Sequence, residues 1–153
     1  MNIPAEGEFR LDHEADTTHL GAAIAPALAK GEAICLTGAL GAGKSVLARG
    51  LIRALVPDAG DIPSPTFTLV QFYQARRFPI AHFDLYRLTR PEEAFEIGLD
   101  EALDTGAAVI EWPERLAHHL PPDRLDVELW MDGDARRARL TPHGAWEGRP
   151  LAF

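Results

Sequence analysis

The sequence predicts an α/β fold with a mostly parallel central sheet and antiparallel strands at the sheet edge. Two observations favour this class. Short apolar runs alternate with stretches of helical periodicity, the order typical of parallel strands joined by helices. Near the C-terminus, apolar and polar residues alternate on both sides of Asp132 and Gly133, which predicts a β-hairpin and hence antiparallel edge strands.

The segment GALGAGKS, residues 38–45, has the spacing GxxxxGK followed by Ser or Thr that is typical of phosphate-binding loops. The apolar run AICLT precedes it and the helix-compatible segment VLARGLIRAL follows it, as the strand–loop–helix context requires. Glycines in such a loop let backbone N–H groups converge on phosphates, and the helix dipole favours the same charge. The ordinary alternative is a Gly-rich turn between a strand and a helix.

The phosphate-binding interpretation predicts a P-loop NTPase-like three-layer fold. In that fold Lys44 would neutralise the phosphates and the hydroxyl of Ser45 would contact Mg²⁺. Six residues of the loop are then candidates for nucleotide binding: Gly41, Ala42, Gly43, Lys44, Ser45 and Val46.

Breaker residues and periodicity divide the rest of the chain. We expect a strand around Phe9 and Leu11, then a helix from Asp16 or Thr17 in which Pro26 causes a kink or an early stop. A Pro/Gly/Asp-rich loop covers residues 57–65. The other predicted strands are residues 33–37, 66–74, 78–86 and 107–110, and the other predicted helices are residues 44–55, 91–99, a short one ending at 104, and 113–120.

Length and charge limit the function. The 153 residues fit one domain, 1–153, and the net charge of -8 argues against a protein that holds nucleic acid by its own electrostatic field. Any role on RNA would therefore pass through a partner. Cys35 lies in an apolar run and reads as a small buried hydrophobe. Since no segment is long and apolar enough for a membrane span or a signal peptide, we expect a cytoplasmic protein without membrane contact.

Two apolar runs end in an acid: IAHF precedes Asp84 and AAVI precedes Glu111. Ligands of open α/β sheets lie at the carboxyl ends of strands, so these acids are candidates for holding Mg²⁺ or orienting water. The common alternative is a strand that leaves the core for solvent. We expect Glu111 to end a central strand beside the loop and to orient the attacking water, and Asp84 to end a less buried strand and to act more through the metal.

Two further features are weaker. The segment SPTF, residues 64–67, could form a mobile loop that carries Thr66 toward the γ-phosphate, although a Ser-Pro turn entering a strand is the commoner reason for such a sequence. His82 shares a strand face with Asp84 and could orient it, although a packed or solvated histidine is commoner. His118 and His119 have no matching Cys or acid cluster and predict no metal site.

Four motifs together, GALGAGKS, SPTFTLV, HFDLYRL and EWPE, resemble the TsaE (YjeE) family of small P-loop ATPases needed to make threonylcarbamoyladenosine in tRNA. The similarity spans roughly residues 16–116. Two positions depart from the usual family pattern. Ala39 stands where the family often has Asp, and Ser45-Val46 stand where it often has two threonines.

The resemblance implies a site and a set of partners. It implies ATP and Mg²⁺ as cofactors, with hydrolysis in association with the TsaD and TsaB proteins, through which the tRNA is reached. Lys44, Asp84 and Glu111 would be the catalytic residues, and Ser45, Asp84 and Glu111 would hold the metal. The same resemblance implies that residues 64–67, with Thr66, act as a switch, that Trp112 lies beside the nucleotide, and that Thr18, in the segment 17–21, lies near the adenine.

Three other classes compete with this interpretation. A GTPase needs a guanine-reading box with Lys between Asn or Thr and a nearby Asp, but Asn2 is the one asparagine and neither Lys30 nor Lys44 lies in such a box. A small-molecule kinase shares the loop but needs an acceptor pocket and a mobile lid, for which Arg87 and Arg90 could supply the arginines. A nucleotide-dependent interaction module would differ from the ATPase only in turnover.

Overall fold

The computed structural model describes residues 1–153 and contains nine strands and four α-helices. The strands are β1 (Asn2–Pro4), β2 (Gly7–Leu11), β3 (Ala33–Thr37), β4 (Val70–Gln74), β5 (Pro79–Asp84), β6 (Ala107–Glu111), β7 (Arg124–Asp132), β8 (Ala135–His143) and β9 (Pro150–Ala152). The helices are α1 (Glu14–Ile24), α2 (Lys44–Leu55), α3 (Glu92–Glu96) and α4 (Leu99–Thr105), with 3₁₀ segments at Ala25–Ala27, Pro113–His119 and Gly144–Trp146.

Seven strands form one sheet in the order β2-β8-β7-β3-β6-β5-β4. The four inner strands β7, β3, β6 and β5 are parallel, while β4 pairs antiparallel with β5 at one edge and the β2–β8 pair closes the other edge. This arrangement confirms the predicted parallel sheet with antiparallel edges. β1 and β9 form a separate two-stranded sheet that joins the two ends of the chain.

Most predicted elements are confirmed, and the deviations have local causes. α1 begins earlier than predicted, because the backbone N–H of His13 donates to the Asp16 carboxylate at 3.0 Å and so caps the first turn. Of the two effects predicted for Pro26, a kink or an early stop, the structure shows the early stop: α1 ends at Ile24 and a 3₁₀ turn follows. β4 is shorter than the predicted strand because Leu69 has a left-handed φ of 70° and its N–H donates to Pro65.

Helices cover both faces of the sheet and produce three layers. One apolar cluster of 25 buried residues packs α1 and α2 against the sheet, and a second cluster of 12 residues packs α3, α4 and the Pro113–His119 segment against the other face. α1 and α2 approach each other closely at Gly50, where a Cβ atom would lie 2.4 Å from the carbonyl oxygen of Thr18. α2, which carries the lysine and serine of the phosphate loop, is thereby held at a fixed distance from α1.

Ionisable side chains that are buried outside the candidate site include Cys35 and Glu32. Cys35 is fully buried in β3, and this burial raises the pKa of its thiol above the ordinary range. Glu32 is one of the few buried charged residues, and its carboxylate accepts two hydrogen bonds from the guanidinium of Arg149, at 2.6 and 2.8 Å. No helix combines the length and the apolar character that crossing a lipid bilayer requires.

Candidate functional site

A cavity of about 320 Å³ lies at the carboxyl ends of β3, β5 and β6, where the phosphate loop turns into α2. Every predicted site residue except Thr18 and Ala42 lines it. Its lining residues are Leu40, Gly41, Gly43, Lys44, Ser45, Val46, Ser64, Thr66, Asp84, Glu111, Trp112 and Arg136. A larger cavity of about 860 Å³ lies between the ends of α1 and α2 and the β4–β5 hairpin, and it contains none of the predicted residues.

The phosphate loop has the backbone that its glycines allow. Gly38, Gly41 and Gly43 have φ values of 143°, 83° and 112°, a region that residues with a side chain rarely adopt. At Gly38 space is also short, because a Cβ atom would lie 2.4 Å from the carbonyl oxygen of Leu129 in β7. The loop is therefore locked against the sheet while its open side faces the cavity.

Lys44 is held inside the loop. Its ammonium group donates to the carbonyl oxygen of Gly38 at 2.6 Å and lies 3.5 Å from the ring centroid of Trp112. The residue is only 5% exposed, and this burial lowers its pKa, although the nearby carboxylates of Glu111, Glu114 and Asp84 act in the opposite direction. A phosphate group in the cavity would give the ammonium the counter-charge that its present neighbours supply only in part.

Glu111 connects three elements. One of its carboxylate oxygens, Oε1, accepts a hydrogen bond from the hydroxyl of Ser45 in α2 at 3.3 Å. The other, Oε2, lies 2.7 Å from Nε2 of His82 in β5. The sequence placed His82 on one face with Asp84 and allowed it to orient that acid. The structure shows that its partner is Glu111, because the parallel register sets Asp84 opposite Glu111 and places His82 two residue pairs earlier on the same face, within reach of the Glu111 side chain.

Asp84 ends β5, and one hydrogen bond holds its backbone while another holds its carboxylate. Its N–H donates to Leu69 at 2.9 Å, and its Oδ1 accepts the N–H of Tyr86 at 3.0 Å. The expectation that β5 is a less buried strand is wrong: five of its six residues are buried, because β4 covers its outer edge and helices cover both faces. Asp84 itself is only 6% exposed and faces the cavity.

The segment 64–67 forms one wall of the cavity. The hydroxyls of Ser64 and Thr66 lie 3.2 Å apart, and both residues line the cavity opposite the phosphate loop. The next side chain, Phe67, is 79% exposed, and the guanidinium of Arg87 lies 4.5 Å from its ring centroid. Arg87 thus contacts this segment, whereas Arg90 is engaged with Glu93 and Glu96 on the surface.

Trp112 has an unusual backbone. It follows β6 in the left-handed region, with φ 60° and ψ 50°, a conformation that costs a bulky residue free energy and is found mainly where a site requires it. This turn places the indole between Lys44 and the ring of Tyr86, whose centroid lies 4.8 Å away. Trp112 lines the cavity and, with Leu40 and Val46, supplies its apolar surface.

Sequence analysis missed Arg136. It lies in β8, and its Nη2 donates to the carbonyl oxygen of Gly41 at 3.1 Å, so the guanidinium reaches the phosphate loop from a strand nearly a hundred residues away. Its Nε is buried without a hydrogen-bond partner. No local signal marks it, since it is one of three arginines in the run ARRAR.

Two predicted residues lie outside the cavity lining. Ala42 is buried, and its N–H donates to Ala39 at 3.1 Å within the loop. Thr18 is exposed on α1, and its backbone packs against Gly50. The adjacent Thr17 is the residue of α1 that faces the loop: its methyl group would lie 3.4 Å from a Cβ at Gly43, and its buried hydroxyl has no partner.

The donor set fits Mg²⁺. The Ser45 hydroxyl and the carboxylates of Asp84 and Glu111 are hard oxygen ligands, and Mg²⁺ in proteins usually takes one or two carboxylates together with water and substrate phosphates. Oδ2 of Asp84 accepts no hydrogen bond from the protein and is therefore free for a ligand. No group of three or more His, Cys, Asp and Glu side chains could hold a metal without such help.

The three-layer fold, the phosphate loop before α2 and the acids at the strand ends define a P-loop NTPase-like protein. The crystal structure of YdiB from Bacillus subtilis is similar, with a TM-score of 0.72 at 25% identity over 94% of this chain and 87% of that one. Residues 11–139 match the family described as threonylcarbamoyl adenosine biosynthesis protein TsaE. The chain belongs to the TsaE family.

Three relatives with the same name agree with this assignment. The chain is 39% identical to the tRNA threonylcarbamoyladenosine biosynthesis protein TsaE of Rickettsia bellii, over 86% of this chain and 92% of that protein. It is 39% identical to the protein of the same name from Treponema pallidum, over 80% of this chain and 90% of the relative. The protein so named in Rickettsia felis is 40% identical over 83% of this chain and 74% of its own length.

Proposed function

We propose that this protein binds Mg²⁺-ATP in the cavity at the phosphate loop and hydrolyses it in support of threonylcarbamoyladenosine formation in tRNA. The observation that carries the proposal is the meeting of Lys44, Ser45, Asp84 and Glu111 around one cavity from three separate elements. A Gly-rich turn without function has no need to collect a cation, a hydroxyl and two carboxylates at its open side. The membership of the family supports the pathway.

The side chains divide the work according to their chemistry. Lys44 and the backbone N–H groups of residues 41–46 hold the phosphates, and Ser45, Asp84 and Glu111 hold Mg²⁺. When bound, Mg²⁺ supplies positive charge to the phosphate oxygens at which negative charge develops. Glu111, the acid closest to the loop, also orients the attacking water. Thr66 approaches from the opposite wall, where its hydroxyl is available to the terminal phosphate.

The base is proposed to be adenine. The chain lacks a guanine-reading box, and the cavity offers Trp112 and Val46 as apolar surfaces. Three further residues are proposed contacts. Thr18 follows from the family resemblance, and its neighbour Thr17 has the unpartnered hydroxyl on this side of the loop. Arg136, whose Nε lacks a partner, is proposed to contact the nucleotide as well.

The partners are proposed to be TsaD and TsaB. With a net charge of -8 the chain has no electrostatic means of its own to hold tRNA, so the tRNA is reached through them. Partner proteins commonly complete P-loop sites, and an arginine supplied in trans is worth about 10³–10⁵ in rate in other systems. We therefore expect slow hydrolysis by the isolated chain and faster hydrolysis in the assembly.

The test combines binding and turnover. Calorimetric titration with ATP and GTP in the presence of Mg²⁺ should give tighter binding of ATP, and equal affinities would contradict the choice of base. Phosphate release is then measured for the isolated protein and with added TsaD and TsaB. A rate that the partners do not raise would rule out control by assembly. Transfer of phosphate to a small acceptor in place of water would indicate the kinase alternative.

A further inference from the structure

The least explained polar group near the cavity is the imidazole of His82. It is 0% exposed in the middle of β5, and polar side chains are rarely buried to this extent without a partner or a task. Its Nε2 lies 2.7 Å from Glu111, while its Nδ1 is buried and has no hydrogen-bond partner. His82 does not line the cavity, so it touches neither a phosphate nor a metal there.

We propose that His82 is a positioning residue that holds the Glu111 carboxylate in the orientation required for the metal and the attacking water. The proposal rests on the proposed nucleotide function and extends it by one residue behind the site. Three arguments support it: the assignment of the proton, the geometry of the carboxylate and the register of the strands.

The proton of the imidazole lies on Nε2. If Nε2 were the acceptor, the proton would sit on Nδ1, and that N–H would be a buried donor with nothing to bind. A buried donor without an acceptor costs more free energy than an acceptor whose lone pair is unused. Nε2–H therefore donates to Oε2 of Glu111, which fixes the direction of this hydrogen bond.

The hydrogen bond leaves one carboxylate oxygen for the site. Glu111 is 2% exposed, and its two oxygens have different partners: Oε2 faces His82 and Oε1 faces the hydroxyl of Ser45. The Ser45 hydroxyl is itself a proposed metal ligand, so its bond to Oε1 changes when a metal enters. The bond to His82 is then the remaining contact that keeps the carboxylate from rotating. Outer partners of metal-binding carboxylates act in this way in other proteins.

The strand register makes the contact possible. β5 and β6 are parallel, with His82 opposite Val109 and Asp84 opposite Glu111. His82 therefore lies on the same face as both acids, two residue pairs before them, and the imidazole spans the distance that a shorter side chain would leave open. The two acids end the strands, and the histidine supports one of them from inside the sheet.

The first experiment observes the hydrogen bond without any nucleotide. Side-chain ¹⁵N spectra of the protein should show His82 with its proton on Nε2 and none on Nδ1. The chemical shift of the Nε2 proton should change in the Glu111→Gln variant. A proton on Nδ1 with none on Nε2 would overturn the proposal. Because no ligand is present, this result is independent of whether the protein binds ATP, and absence of ATP binding by the unchanged protein would refute the proposed function instead.

The second experiment measures how ATP affinity depends on Mg²⁺. His82→Leu removes the hydrogen-bond donor and keeps a side chain of similar volume. We expect it to raise, by about 10–100-fold, the Mg²⁺ concentration at which the increase in ATP affinity is half complete, which is the usual effect of losing such a partner. His82→Gln can place an N–H near the same point and should restore most of the dependence. The control is Ile80→Val, which disturbs a buried side chain on the same face of β5 and should leave the Mg²⁺ dependence unchanged.

A double-mutant cycle separates positioning from packing. If His82 acts through Glu111, adding His82→Leu to Glu111→Gln should change the Mg²⁺ dependence by less than about twofold, because the group it positions is already altered. Additive effects would overturn the proposal, as would an Ile80→Val protein that shifts as much as His82→Leu. Should His82→Leu fail to fold, the His82→Gln protein and the ¹⁵N spectra still decide between the outcomes.

Discussion

Replacing Lys44 by alanine is the most direct test of the proposed phosphate-binding site. The ammonium group is 5% exposed and lies between the carbonyl oxygen of Gly38 at 2.6 Å and the ring of Trp112 at 3.5 Å. Both neighbours are neutral, and no carboxylate forms an ion pair with it in the structure. The fold thus keeps a partly desolvated positive charge at the floor of the cavity, and burial lowers its pKa.

The size of the effect follows from the interaction that is lost. Hydrogen bonds to charged groups contribute about 1.5–3 kcal/mol, and two unit charges about 4 Å apart attract each other by about 4 kcal/mol at an effective dielectric constant of about 20. We therefore expect Lys44→Ala to weaken Mg²⁺-ATP binding by about 2–4 kcal/mol, or ~30–1000-fold in Kd. Because the side chain has no ionic partner, the thermal unfolding midpoint should change little.

Calorimetric titration with Mg²⁺-ATP measures this effect, and the chain supplies its own control. Lys30 is the other lysine and is exposed, so Lys30→Ala removes the same charge from the protein far from the cavity. Its affinity should match that of the unchanged protein. The reasoning is refuted if Lys44→Ala binds ATP normally, or if both variants lose affinity equally, which would indicate an effect of net charge.

Three further predictions follow. Glu111→Gln should keep ATP binding at saturating Mg²⁺ but lose most turnover, while Asp84→Ala should weaken the Mg²⁺ dependence of binding more strongly than Glu111→Gln does. Single-turnover hydrolysis with a Mg²⁺ titration tests both, and an Asp84→Ala protein that changes only turnover would reverse the roles. Arg136→Ala should lower ATP affinity by roughly tenfold or more, whereas Arg137→Ala, which loses a surface contact with Asp132, should not. Gly38→Ala should lower the unfolding free energy by about 1–3 kcal/mol or more. The loss should exceed that of Gly41→Ala, where a Cβ atom meets nothing within 4 Å. Equal losses in urea unfolding would mean that the structure relieves the clash with Leu129.

Elements with local signals were predictable from the sequence. The strand before the phosphate loop and the helix after it match the predicted residues 33–37 and 44–55, because glycines and a continuous apolar period mark their ends. The early stop at Pro26 follows from the chemistry of proline itself. The position of Glu111 beside the loop strand was also predictable, since a wholly apolar run indicates an inner strand and parallel strands present their carboxyl ends at one edge.

Burial and long-range contacts were less predictable. β5 was expected to be less buried because it contains a histidine, yet the sheet order places it between β4 and β6. The turn at Leu69 shortened β4 although its sequence favours a strand: the backbone is left-handed there, and its N–H donates to the carbonyl oxygen of Pro65 instead of pairing in the sheet. In both cases the contacts made by the strand outweighed the preference of its own residues.

The sequence by itself therefore determined the phosphate loop, the two acids and the family, because each is written in a few consecutive residues. Only the tertiary structure decided which side chains meet. The partner of His82 is 29 residues away in the chain and that of Arg136 is 95 residues away. Such contacts depend on the parallel register of β5 with β6 and on the C-terminal hairpin lying beside the loop strand. Spacing within a motif carries no information about a contact that sheet order and register create.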